Sequence, residues 1–195
     1  MSSFAGPEAA ALFERYLATI TAESDRGAVL VAAALLDKAL ETVLRKKLVP
    51  AIESDDPLFT GAYAPLQSFS AKIELAFRLG LMTRDTKRMM TIFRKLRNDF
   101  AHGADAVKLS DETVRNRLKA MFEQSPMLHQ AIIGTLQEAL QSESNGTVSK
   151  QQLFDHPKGQ RAIVDVFFAS NAMALRRVEL DVEPITELTR ADGAA

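Results

Sequence analysis

The segment Arg97-Asn98-Asp99-Phe100-Ala101-His102 sets an arginine, four intervening residues and a histidine, with a polar side chain directly after the arginine. These residue types offer acid–base chemistry at a ribose phosphate. A histidine near its working pKa can take the proton from a ribose 2′-hydroxyl, while Arg97 balances charge developing on the phosphate and Asn98 orients it. Such a reaction needs RNA and leaves DNA untouched. A competing account is structural: His102 stands just before Gly103 at the predicted end of a helix, where it complements the dipole or donates to free carbonyls. That account is read first, with non-catalytic binding and catalysis behind it.

Upstream lies a second candidate. Between Lys72 and Arg97 the cations Lys72, Arg78, Arg84, Lys87, Arg88, Arg94, Lys95 and Arg97 face only Glu74 and Asp85. If these side chains gather on one surface they can bind phosphates, because each neutralised phosphate releases condensed counterions. The candidate nucleic-acid-binding residues are Arg84, Lys87, Arg88, Arg94, Lys95 and Arg97. The plain alternative is a solvated helix face, which is commonly rich in Lys and Arg. A helix-turn-helix can also be traced here, with Leu75, Ala76, Leu79, Gly80 and Leu81 around the turn and Thr83 to Leu96 as the reading helix. Thr86 stands where an apolar contact is usual and Phe77 needs burial elsewhere, so a core hairpin is the preferred reading.

Other residues offer less chemistry. His129 falls in a predicted helix and His156 precedes Pro157; neither has a companion at metal-ligand spacing, so no metal or cofactor is expected. Neither a glycine-rich phosphate loop nor a serine-hydrolase nucleophile motif is present. Glu23, Asp25 and Arg26 read as a charged helix start, acids there being favoured by the dipole.

These residues must be positioned by helices. The 195 residues suit one domain and are 47% hydrophobic and 25% charged, the balance of a chain with a packed core. Lys and Arg number 24 against 25 Asp and Glu, so a basic surface must be local. Cysteine is absent, which excludes disulfides and thiolate chemistry. The chain shows no leader-like start, and the apolar run Ala28 to Leu36 is too short to span a bilayer; a cytoplasmic protein is expected.

Helical periodicity places Ala11, Leu12, Tyr16, Leu17 and Ile20 on a first helix and Val29, Ala33, Leu36, Leu40 and Val43 on a long central one capped by Ser24 or Asp25. Pro57, Gly61 and Pro65 break the chain into a loop pinned by Leu58, Phe59, Tyr63 and Leu66. A short helix from Ser68 or Ser70 stops at Gly80; Thr83 caps the next, with Met89, Ile92, Phe93, Leu96 and Phe100 inward. Ser110 caps another, with Val114, Leu118 and Phe122 inward. A helix from Pro126 through Leu140 and a last one from Pro157 to Val178 complete an all-α bundle of about seven helices. Residues 1–178 form the domain, and 179–195 a loosely ordered tail.

Several stretches, taken in order, resemble the mannitol operon repressor (MtlR) family. They are Glu23 to Gly27 leading into Val29 to Leu48, Leu58-Phe59 with Gly61, Ala64 to Leu66 with Ser68 to Ile73, Gly80-Leu81, and Arg94 to His102. They cover about the N-terminal half. The resemblance implies an all-helical transcriptional regulator, a repressor acting through DNA or a partner protein, with binding weighed ahead of catalysis. The Arg97 to His102 spacing is also similar to the signature of HEPN-type helical domains, many of them metal-independent RNases. On that second resemblance the protein binds or cleaves RNA with Arg97, Asn98 and His102. The apolar helices and the two-fold habits of regulators make a homodimer the expected state.

Overall fold

The computed structural model describes residues 6–52, 54–103, 107–124 and 154–188. Among them run six α-helices and no strand: α1 (Pro7–Thr21), α2 (Asp25–Lys47), α3 (Phe69–Arg78), α4 (Arg84–His102), α5 (Glu112–Glu123) and α6 (Pro157–Asp181). The fold class is all-α, as predicted. The helix expected from Pro126 to Leu140, and His129 with it, lies outside the described residues.

Helix starts follow side-chain chemistry. Ser24, Ser68 and Thr83 each sit in extended backbone and accept a hydrogen bond from the amide three residues on, at 3.1, 3.2 and 3.1 Å. Each satisfies one of the amides a helix start leaves open. The start of α5 departs from expectation. Asp111, not Ser110, is the residue before the helix, and its carboxylate accepts from the Lys108 amide at 2.9 Å rather than capping.

The turn between α3 and α4 depends on one glycine. Gly80 has φ +72°, the Gly80 amide donates to the Phe77 carbonyl, and the Leu81 amide reaches back to that of Ala76. This double closure is a common helix stop that needs a left-handed residue. A Cβ on Gly80 would meet nothing within 4 Å, so only backbone strain opposes substitution. Gly80→Ala is expected to cost about 1 kcal/mol and lower Tm by about 3 °C in a thermal melt; an unshifted melt would mean that the turn relaxes.

Helix α2 is central. Ala28, Val29, Ala32, Ala33, Leu36, Leu40, Val43 and Leu44 are buried, and α1, α3, α4 and α6 all pack on it. Its alanines are small enough to let neighbouring backbones approach. Helix α4 buries Met89, Met90, Phe93, Leu96 and Phe100 against α2, α3 and α5. Phe93 meets Phe167 of α6 with ring centres 4.9 Å apart, and Tyr16 of α1 meets Phe168 edge-on at 5.9 Å. α1 is shallower than its pattern suggests: only Ile20 is fully buried, Leu12, Tyr16 and Leu17 are half-buried, and Ala11 is exposed.

Two of the four expected loop anchors face outward. Phe59 and Leu66 are buried, but Tyr63 is 99% exposed and Leu58 40%. In a loop without a repeat, apolar residue type alone does not say which side chain faces in. The predicted tail begins inside a helix, since α6 runs past Val178 to Asp181. Beyond it the chain is tied to the end of α2. Lys46 Nζ donates to the Glu179 carbonyl at 2.5 Å, Lys47 Nζ to that of Glu183 at 3.0 Å, and the Ile185 amide to that of Lys47 at 2.8 Å. No helix among the described residues is long and apolar enough to cross a membrane.

Candidate functional site

The cations of the middle segment do not gather on one surface. Lys72 is buried, its ammonium between Asp37 at 3.1 Å and Glu41 at 3.2 Å on α2. Those acids are four residues apart and so share a helix face. Lys72 therefore leaves the list of surface cations and joins α3 to α2. Burial alone would raise the Glu41 pKa, but hydrogen bonds from Lys38, Arg45 and Lys72 overcome it and hold the carboxyl at about 2.

Lys87 is engaged as well. It pairs with Glu74 of α3 at 2.6 Å and lies 4.5 Å from the Phe77 ring centre. The hydrogen bond from Lys87 keeps the Glu74 carboxyl below its usual range. Phe77, the residue that fits a helix-turn-helix badly, thus finds its cover in a lysine. Helix α4 itself carries a buried stripe against α2, α3 and α5, which agrees with the core-hairpin reading.

The remaining α4 cations divide into two sets by helical geometry. At about 100° per residue, Arg84, Arg88 and Lys95 fall within an arc of about 40°, opposite the buried stripe, and His102 falls in the same arc. All four are exposed. Asp85 approaches Arg88 at 3.8 Å, a long contact on the surface, where such pairs contribute little. Arg84, Lys87 and Arg88 rim a groove of about 540 Å³ whose apolar side is Phe77 and Ile92, with Thr91 and Gln124 completing it.

Arg94 and Arg97 turn to the other flank. They line a separate cavity of about 380 Å³ with Asn98, Asp37, Leu30, Ala33 and Ala34 of α2, and Gln67, Ser68, Phe69 and Ser70 at the start of α3. Arg97 donates to its neighbour Asn98 at 3.1 Å.

His102 projects from a different side of α4 than Arg97. A five-residue step on a helix turns the side chain by about 140°, and His102 is not among the lining residues. His102 stands as the basic residue in the last turn of α4, and Arg26 of α2 donates to the Ala101 carbonyl there at 3.3 Å. Arg97 and Asn98 remain adjacent in the cavity. Asp99 is taken by Arg117 of α5.

Glu23, Asp25 and Arg26 have structural roles. Arg161 of α6 donates to the carbonyls of Ile20 at 2.5 Å and Glu23 at 2.9 Å and to the Asp25 carboxylate at 3.1 Å. It also holds Asp165 at 2.8 Å. The sequence reading missed this hub, because nothing local shows that a cation near the C-terminus meets the end of α1. His156 accepts from the Lys158 amide at 3.2 Å and caps α6. No group of three or more His, Cys, Asp or Glu suited to a metal occurs among the described residues.

No protein-family model and no curated protein matches the sequence. One similar solved structure is the MtlR-HPr complex from Escherichia coli. The TM-score is 0.55 at 16% sequence identity, over 87% of this chain and 99% of that one. The chain has an MtlR-like fold. At that identity the likeness is one of helical architecture. The resemblance drawn from the N-terminal half is thus matched by fold along most of the chain.

Proposed function

We propose that the protein is a transcriptional regulator of the repressor kind that works by docking a partner protein rather than by chemistry, with the exposed line of α4 as its contact. The observation that carries this reading is the alignment of Arg84, Arg88 and Lys95 on one solvent-facing arc of a helix whose opposite side is fixed in the core. Magnitude favours a protein over a duplex. Three cations neutralise about three phosphates, whereas salt-sensitive DNA binders commonly use about 6–10. An acidic protein surface needs only a few such cations to gain orientation and association rate. That the similar Escherichia coli structure is a complex with HPr supports a protein partner of this kind. Separation of Arg97 from His102 argues against an RNase.

HPr is the first partner to test, by titration calorimetry at low and moderate salt, beside a gel shift with DNA from upstream of the gene. The triple variant Arg84→Ala, Arg88→Ala, Lys95→Ala is expected to bind HPr at least tenfold more weakly and with a flatter salt dependence. Equal binding by wild type and variant, or no binding by either, rejects this surface. RNA cleavage in EDTA that disappears in His102→Ala would instead support the nuclease.

A further inference from the structure

We propose that the groove between α3 and α4 seats one segment of the partner protein, an extended stretch in which a large apolar side chain stands between carboxylates. The inference rests on the docking reading above and names the chemistry that this surface recognises. Exposed ion pairs contribute little to affinity, so a line of surface cations sets orientation and encounter rate, while a desolvated apolar contact holds the partner. The groove is where the line of α4 adjoins such a contact.

Its wall is apolar. Phe77 of α3 and Ile92 of α4 are both half-buried, and the groove they line measures about 540 Å³. Sites of about 300–1,000 Å³ enclose most of a ligand, so this one takes a large side chain with its flanking backbone. The rim is cationic. It carries Arg84, Lys87 and Arg88, and the acids paired with them are Glu74 and Asp85. Three cations against two acids leave one positive charge. Lys87 is engaged by Glu74 at 2.6 Å with its ammonium 4.5 Å from the Phe77 ring centre, so it closes one side of the groove. Arg88 meets Asp85 only at 3.8 Å, and Arg84 has no ion pair among the described residues. One carboxylate of the partner therefore belongs at Arg84. Lys95, exposed on the same arc and also without an ion pair among the described residues, takes a second. Lys95 lies eleven positions after Arg84. That is about 16 Å of helix, the reach of about five residues of extended chain. Acid, apolar anchor and acid in the partner match the order of cation, apolar groove and cation along α4.

The first test uses the full chain and two capped five-residue peptides, followed by amide shifts in NMR. Both peptides have glutamates at the two ends; one has phenylalanine at its centre and the other alanine. The phenylalanine peptide is expected to shift Phe77, Thr91 and Ile92 and to bind at least fivefold more tightly. Equal binding by the two, or shifts away from these residues, overturns the proposal. The second test uses HPr and the variant Thr91→Trp, which fills the groove and leaves every cation in place. The Thr91 hydroxyl donates to the Lys87 carbonyl of its own helix at 2.8 Å, so the change is local to α4. Thr91→Trp is expected to bind HPr at least tenfold more weakly than wild type. Wild-type affinity in Thr91→Trp, beside weakened binding in the triple variant of Arg84, Arg88 and Lys95, overturns the groove and leaves the docking line standing. If wild type does not bind HPr, the docking line falls and the peptide comparison decides the groove.

Discussion

Arg161→Ala is expected to lower stability by about 3–4 kcal/mol and Tm by about 10 °C, the largest effect of any single charged residue in the fold. Arg161 donates to the carbonyls that end α1, to Asp25 at the start of α2 and to Asp165 one turn along α6. Asp165 is 6% exposed, and its burial raises the carboxyl pKa while the bond from Arg161 draws it down. Removing the guanidinium strands that carboxylate and three helix-end contacts in one step. Burial disfavours the Arg161 charge, yet Asp165 and Asp25 more than restore it, so its pKa is raised. The double variant Arg161→Ala, Asp165→Ala separates the terms. It should recover part of the loss, because the unpaired buried charge is gone. A single variant that melts within about 2 °C of wild type would show the hub to be dispensable.

Lys72→Ala should cost about 2–3 kcal/mol, with Lys72→Met recovering the packing of the stem but not the charge. Here the acid limb of stability provides a second reading. Glu41 is held at about 2 in the folded chain against an ordinary value of 4.5. A depressed carboxyl contributes stability above its unfolded pKa and loses it as pH falls through the folded one. The wild-type contribution is therefore intact above about pH 5 and is lost between about pH 4.5 and 2. Without Lys72 the folded pKa of Glu41 rises, so less stability remains to be lost in that window. Denaturant midpoints at pH 7 and pH 3 should thus differ less in the variant than in the wild type; identical differences would place the stabilisation of Glu41 on Lys38 and Arg45 alone.

Both predictions concern residues whose neighbours lie far along the chain, and this explains how legible each part was. Caps at Ser24, Ser68 and Thr83, the stop at Gly80 and the core stripes of α2 and α4 depend on amides and side chains within a turn or two. Local rules therefore found them. Ser110 failed because two polar residues stood side by side at the start of α5, and Lys108 claimed the second. The cationic segment failed differently. One sequence window holds a buried lysine, a lysine paired across the hairpin, two arginines that line a cavity, and four cations on the open surface, Arg78, Arg84, Arg88 and Lys95.

What the residues alone determined was the all-helical class, the main helix boundaries, the inward faces and the presence of a locally basic segment, because periodicity and capping are properties of neighbouring positions. Only the tertiary structure decided which cations stay in water. That depended on α2 presenting Asp37 and Glu41 to Lys72 and on α3 presenting Glu74 to Lys87. A charge finds its partner through space, and packing sets that distance independently of separation along the chain.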